Sequence, residues 1–329
     1  MKTNKWNAKK ILTVEEAKDH DKWLAVRNTG IGGSDAGAIL GKSKYKSPAD
    51  VWLEKTGARE PADLSGNEAV RAGILLEPIV AKMFEEDTGK KVTRRGTFQS
   101  TTHPFMLANI DRQVVGEDAG LEIKTAGSWA EKFWEGDEIP DSYYCQCLHY
   151  MAVTGAKRWY IAALIGGQHF LWKTIERNEN DIKILIDAET KFWDLVKTKT
   201  PPPIDSSAAC GSALSYRYRD ADPGSVIDLP PEAGDIMAHL DSISDAMAGL
   251  KEDEQAAKNA LMEMMKENET GIWKGKDGRI RKVTWKATKP TESLRLSDIR
   301  KKDPAEYQRL KDKGFVTVRD TSRRLRIGK

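Results

Sequence analysis

The sequence predicts an α/β architecture, a mixed central sheet flanked by helices, over roughly residues 1 to 205. Three changes of hydrophobic period carry that expectation. From Asn67 to Asp87 the apolar residues keep helical spacing, at Val70, Ile74, Leu75, Ile79, Val80, Met83 and Phe84. Between Val92 and Ala126 the pattern turns extended, through Thr97-Phe98, Met106 to Ile110, Val114-Val115 and Leu121 to Thr125. From Tyr143 to Lys197, helix and strand patterns alternate again.

Taken in order, Thr13-Val14-Glu15-Glu16 has the form of a capping box and predicts a helix running toward Arg27. Glycines follow: Thr29-Gly30-Ile31-Gly32-Gly33-Ser34-Asp35 predicts a tight turn into a short helix capped by Ser34 or Asp35, its free N–H groups facing an anion. Val51, Trp52 and Leu53 after Ser47-Pro48 predict a second short helix, and Gly89 closes the long one begun at Asn67. Tyr143 to Val153 is the next helix. Arg158 to Leu164 and His169 to Ile175 are strands joined through Gly166-Gly167, and a last helix spans Asn180 to Lys197.

Pro201-Pro202-Pro203 and the polar stretch to Pro230-Pro231 predict a linker over residues 206–231. An appendage, residues 232–329, follows it. Its long helix, Glu232 to Glu269, carries Ile236, Leu240, Ile243, Met247 and Leu250 on one stripe, continued by Leu261, Met264 and Met265. Short strands are expected at Ile280 to Trp285 and Phe315 to Val318, before a basic end at Arg323-Arg324-Leu325-Arg326.

Composition narrows the class. With 53 basic against 50 acidic residues the net charge is only +3, so any nucleic-acid surface must come from local segregation of charge. Cys145, Cys147 and Cys210 are too few for a disulfide framework or a four-thiolate metal site, which fits a reducing cytoplasm. No stretch approaches the roughly 20 apolar residues of a membrane span, and Met1 to Lys10 has no apolar run behind it. A soluble cytoplasmic protein is expected.

The sharpest chemical signal is Asp111 followed by Glu122-Ile123-Lys124. Residues two apart in a strand share a face, so Glu122 and Lys124 project together, and a hairpin would bring Asp111 beside them. Two converging carboxylates repel unless a cation neutralises them, and oxygen ligands favour a hard ion such as magnesium. Such a site suits phosphodiester hydrolysis: the ion activates water and offsets phosphate charge, while Lys124 orients or deprotonates the water. Alone, the same spacing also describes alternating charges on an exposed strand.

Five pieces in fixed order go further: Arg27-x(6)-Ser34, Gly73-x(3)-Glu77-Pro78, Ala108-Asn109-Ile110-Asp111, Leu121-Glu122-Ile123-Lys124-Thr125, and Ile139-Pro140-x(2)-Tyr143-x(2)-Gln146-x(2)-His149-Tyr150-Met151. Over about residues 20 to 200 this order resembles the YqaJ-type phage recombination exonucleases, the lambda-exonuclease-like group of the PD-(D/E)XK nuclease superfamily. The resemblance implies a restriction-endonuclease-like core at 1–205 and a 5′→3′ exonuclease acting on double-stranded DNA ends. It implies two Mg2+ ions, with Mn2+ able to substitute, held by Asp111, Glu122, the Ile123 backbone carbonyl and Glu77. Lys124 is then the catalytic lysine, Gln146 and Tyr143 line the site, and Arg27 with Ser34 hold a 5′-phosphate. The family's usual proline before the aspartate is Ile110 here.

The resemblance also implies a phage or prophage protein of a bacterial host that leaves 3′ single-stranded tails for a single-strand annealing protein. It further implies a homo-oligomer, a trimeric ring in lambda-type relatives. Another PD-(D/E)XK endonuclease, a RecB-like nuclease and a non-catalytic DNA-binding protein are the competing readings. Gly41-Lys42-Ser43 lacks the first glycine of a phosphate-binding loop, since position 36 is Ala36. His103, His149 and His169 lack metal-ligand spacing, and Cys145 and Cys147 are expected to pack. Trp129, Phe133 and Trp134, interleaved with Lys132, are expected either to meet DNA or a neighbouring subunit or to pack in the core.

Overall fold

The computed structural model describes residues 6–61, 66–220, 222–290, 293–317, 325 and 327. These divide into two units, residues 1–219 and 220–329. The first holds the mixed α/β core expected from the period changes. Its chain runs β1 (Ala8–Leu12), α1 (His20–Arg27), β2 (Ile31–Gly32), α2 (Gly33–Ile39), α3 (Pro48–Lys55) and α4 (Glu68–Thr88), then β3 (Val92–Thr93), β4 (Gly96–Ser100), β5 (Met106–Ile110), β6 (Arg112–Val114) and β7 (Ala119–Ala126). It continues through α5 (Asp141–Thr154), β8 (Arg158–Ile165), β9 (His169–Glu176), α6 (Glu179–Lys197) and α7 (Ala208–Arg217).

Two sheets share one strand path. Strands β1, β4, β5 and β2 form a four-stranded sheet in that order, and β3, β6, β7, β8 and β9 a five-stranded one. The β2–β5 and β7–β8 pairs are parallel and the others antiparallel, so both sheets are mixed. The chain leaves the first sheet at Ile110 and enters the second at Arg112, so Asp111 occupies the crossing between them.

The core follows from this arrangement. Met106, Ala108 and Ile110 of β5 and Trp159, Ile161 and Ala163 of β8 bury against α5, whose Cys145, Cys147, Leu148 and Met151 are also buried. The opposite face of β7 and β8, with Leu121, Ile123, Tyr160 and Ala162, is covered by Val80, Ala81 and Phe84 of α4. The other half of the expected α4 stripe does not reach core: Ile74, Leu75 and Ile79 are exposed. Helix α2 lies close on α5 because Gly33 and Gly37 have no side chain. A Cβ on Gly33 would stand 2.5 Å from the Tyr150 ring, and one on Gly37 would stand 3.0 Å from Ser142.

Several boundaries differ from expectation. Thr13 and Glu16 do form the reciprocal capping bonds, at 2.9 and 3.1 Å, but they close only a short 3-10 turn. The next helix starts afresh with its own cap, Asp19, which accepts from the Lys22 N–H. Strand β1, for which the sequence predicted no element, pairs with β4; its Leu12 is buried while its lysines are exposed. The expected linker at 206–231 begins instead as α7, capped by Ser207 and packed on α3 with Cys210 and Ala213 buried, so the first unit extends to Arg219.

In the second unit, α8 (Glu232–Met265) is followed by an antiparallel ribbon, β10 (Thr270–Lys274) and β11 (Ile280–Thr284), then α9 (Leu296–Lys302) and α10 (Pro304–Asp312). Residues 315–317 are not a strand; Val318 and the basic Arg323, Arg324 and Arg326 lie outside the described residues. No helix among the described residues is long and apolar enough to cross a membrane.

Candidate active site

Antiparallel pairing of β6 with β7 sets Arg112 opposite Leu121 and Gln113 opposite Gly120, which carries Asp111 to a place opposite Glu122. The Ile123 N–H donates to Asp111 Oδ2 at 2.8 Å, fixing that carboxylate against the strand. Lys124 Nζ donates to Glu122 Oε1 at 2.5 Å and to Gln146 Oε1 at 2.9 Å. Gln146 Nε2 in turn donates to Glu122 Oε1 at 2.8 Å and to the Tyr150 hydroxyl at 2.9 Å. The Tyr143 ring, one turn before Gln146 on α5, meets the ammonium 4.8 Å from its centroid. The hairpin and α5 thus bring Asp111, Glu122, Lys124, Gln146 and Tyr143 together.

Glu77 joins this group through an intermediary. Arg112, 5% exposed, donates both to Glu77 and, at 2.7 Å, to the Asp111 carbonyl; Arg94 also pairs with Glu77, at 3.2 Å. Arg112 is a site residue that sequence reasoning passed over. Its only signal there is its place beside Asp111.

The electrostatics are unbalanced toward the acids. Withdrawal from water, then the charge of Glu122, pushes the Asp111 carboxyl well above the usual carboxylate range, and Glu77 adds to the rise. Lys124 also shifts upward, which for an amine favours the charged form: burial works against its charge, but Glu122 and Asp111 outweigh it and hold the ammonium above its ordinary value. Glu122 is 2% exposed, and its Oε2 is buried with no hydrogen-bond partner. Two carboxylates, one with an orphaned oxygen and one resisting ionisation, form a donor set that a small hard cation would complete. No group of three or more His, Cys, Asp or Glu side chains is placed to hold a metal among the described residues.

A second polar centre lies in the same cleft. Arg27 donates to the Ser34 hydroxyl at 3.0 Å and to Asp35 at 3.1 Å, and Lys46 and Lys55 reach the same carboxylate, each at 3.1 Å. Burial alone would raise the pKa of Asp35, but the three cations outweigh it and hold the carboxyl far below its usual range. Gly32, not Ser34 or Asp35, is the cap of α2: Asp35 accepts the Gly32 N–H at 3.2 Å from three residues inside, and Ser34 turns to Arg27. Asp35, Lys46 and Lys55 were not read as site residues from sequence, since the lysines lie 11 and 20 positions beyond the aspartate with no motif around them.

A cleft of about 1610 Å³ joins the two centres, with Arg27, Ser34, Lys46, Asn109, Asp111 and Gln146 among its lining residues. The exposed α4 residues Val70, Ile74 and Leu75 form part of its wall. Residues set aside earlier resolve separately. His149 is buried, with Nδ1 2.8 Å from Glu189 and Nε2 2.9 Å from the Leu107 carbonyl, and it ties α5 to α6 and β5. Burial disfavours its charge, but Glu189 overrides this and raises its pKa. Trp134 is buried against Tyr143, while Trp129 is exposed.

Residues 22–157 match the YqaJ-like viral recombinase domain family. The protein YqaJ of Bacillus subtilis (strain 168) is 38% identical over 307 residues, 92% of this chain and 93% of that one. Among solved structures, the alkaline exonuclease LHK-Exo of Laribacter hongkongensis aligns with a TM-score of 0.48 and 21% identity, over 55% of this chain and 94% of that one. A phage related exonuclease of Haemophilus somnus 129PT aligns with a TM-score of 0.37 and 14% identity, over 54% and 99%.

Proposed function

Because the chain belongs to the YqaJ-like viral recombinase family, we propose that it is a magnesium-dependent nuclease that digests double-stranded DNA from its ends, 5′ to 3′. The observation that carries this reading is the closed network of Asp111, Glu122, Lys124 and Gln146, set in one cleft with Arg27 and Ser34. Asp111, Glu122 and the Ile123 carbonyl would hold the ions, two in number by family resemblance, with Glu77 reaching them directly or through water. Magnesium, or manganese in its place, would supply a Lewis acid that activates water and offsets phosphate charge. Lys124, charged between two acids and steadied by Gln146 and Tyr143, orients the attacking water and balances charge developing on the phosphate.

Direction follows from the second centre. The Arg27 guanidinium and Ser34 hydroxyl form a pair suited to a terminal phosphate, and a 5′ end held there would lead the adjacent phosphodiester along the shared cleft toward the acids. In this reading the surviving 3′ tail passes to a single-strand annealing protein in the cytoplasm of a bacterial host, and the chain works as a homo-oligomer around DNA. Linear duplexes labelled at either the 5′ or the 3′ terminus test it. With magnesium, 5′ label should be released first and covalently closed circles should survive. Early release of 3′ label, or nicking of the circles, would overturn the assignment of polarity or of end dependence.

A further inference from the structure

Positive charge is dense along the β10–β11 ribbon and the segment that follows it. From Trp273 to Lys289 the sequence has seven Lys and Arg residues against a single acid, Asp277, a surplus larger than the +3 of the whole chain. The remainder is therefore net acidic. Arg279 pairs with Asp277 at 2.6 Å and Lys286 approaches Glu269 at 3.9 Å, whereas Lys274, Lys276, Arg281 and Lys282 make no ion pair among the described residues.

Aromatic and aliphatic side chains interleave with these cations. The register sets Ile272 against Lys282, Trp273 against Arg281 and Lys274 against Ile280, so three successive cross-strand pairs each join a cation to an apolar side chain. Trp273 is 56% exposed and Trp285 49% exposed, although an indole is among the most costly groups to leave in water. Alternation places Trp273 and Arg281 on one face and Ile272, Lys274, Ile280 and Lys282 on the other. Neither face is free of cations, which argues against insertion into a lipid surface, where one face must be apolar.

We propose that this ribbon is a binding site for single-stranded nucleic acid, carried by the second unit and distinct from the cleft of the first. The lysines and arginines would meet backbone phosphates, and the exposed indoles would stack on bases. Duplex bases are already stacked on one another, so the tryptophans select unpaired strands. The site requires no catalysis and stands whether or not the cleft cuts DNA.

The test uses the full chain in EDTA, so that no strand is cut, and a 3′-labelled oligothymidylate with a 5′-hydroxyl. Fluorescence anisotropy should report binding that weakens with salt. Trp273→Ala should lower the affinity about tenfold, and Trp273→Phe, which keeps a ring to stack, should retain most of it. Replacing Arg281 and Lys282 with alanine should reduce the log–log salt slope by about 0.7 per charge removed. Equal losses in the Phe and Ala variants would mean that the ring only holds the hairpin together, and would overturn the proposal. So would unchanged affinity in all variants, or equally strong competition by blunt duplex or by phosphatidylglycerol vesicles.

Discussion

Asp35, fully buried, and Asp111, half-buried at the cleft wall, are aspartates of one domain, yet their surroundings drive them in opposite directions. Asp35 sits among Arg27, Lys46 and Lys55, is outnumbered three to one by cations, and is held ionised. Asp111 sits opposite Glu122 with Glu77 near, has Lys124 as its main compensating charge, and is pushed toward the neutral acid. The first centre is electrostatically complete with protein alone. At the second, Arg112 and Arg94 answer Glu77, but Asp111 and Glu122 share Lys124 alone, and a protein that keeps such a local deficit beside a cleft gives up stability there in exchange for a site that can take up a cation. Substitutions at the two aspartates should therefore separate activity from stability.

The largest effect is expected at the acidic centre. Asp111→Asn should lower nuclease turnover by about a thousandfold or more, since several kcal/mol of charge stabilisation depend on the ion. The fold should persist, because an amide oxygen can still accept the Ile123 N–H. In EDTA the variant should be as stable as the parent chain or more so by urea titration, having lost the repulsion from Glu122. A clear loss of stability would break the contrast with Asp35.

Asp35→Asn should do the reverse. Lys55, whose side chain is 2% exposed, and the other two cations would lose their shared counter-ion, at a cost of about 3 kcal/mol. The sign of the pH dependence follows from the depressed pKa. The stabilisation by Asp35 is present above the unfolded-state value of about 3.9 and fades as pH falls toward the lower folded-state value. Urea midpoints of parent and variant should thus converge below about pH 4. Asp111 has the opposite slope: its raised pKa means that the metal-free chain loses stability as pH rises above about 4. Magnesium should reverse this, adding about 2.7 kcal/mol at a hundredfold excess over its dissociation constant, and Asp111→Asn should abolish the gain.

How much of this could be read from the sequence differs between the same two centres. The acidic one is local: Glu122 and Lys124 share a strand face, and Asp111 lies one tight hairpin away, so two-residue periodicity nearly builds it. The helical spacing of Tyr143 and Gln146 extends it by one element. The cationic centre is assembled from separate pieces, α1, α2, the turn before α3 and α3 itself, and no periodicity links Lys46 or Lys55 to Asp35. Only packing, with Ala38 of α2 and Val51 and Leu53 of α3 in one buried cluster, brings them together. Arg112 illustrates the same limit. In sequence it is an ordinary strand arginine, and only the fold shows it clamped between Glu77 and the Asp111 carbonyl. The α4 stripe failed differently, since its apolar period was right but its first half faces a cleft in place of core.

The smallest expected effect is also the sharpest test of how the two centres cooperate. Arg27 is shared: it contributes one of three cations to Asp35 and, in the proposed reading, lends its guanidinium to a terminal phosphate. Arg27→Ala leaves Lys46 and Lys55 on the carboxylate, so stability should fall by only about 1.5 kcal/mol, the low end for losing one charged hydrogen bond. Rates on 5′-phosphorylated ends should drop about tenfold toward those on 5′-hydroxyl ends, which should hardly change. Comparing initial rates on the two substrates under one set of conditions cancels any loss of folded protein. If both fall together, Arg27 serves Asp35 alone, and the cleft holds one functional centre supported by a structural one.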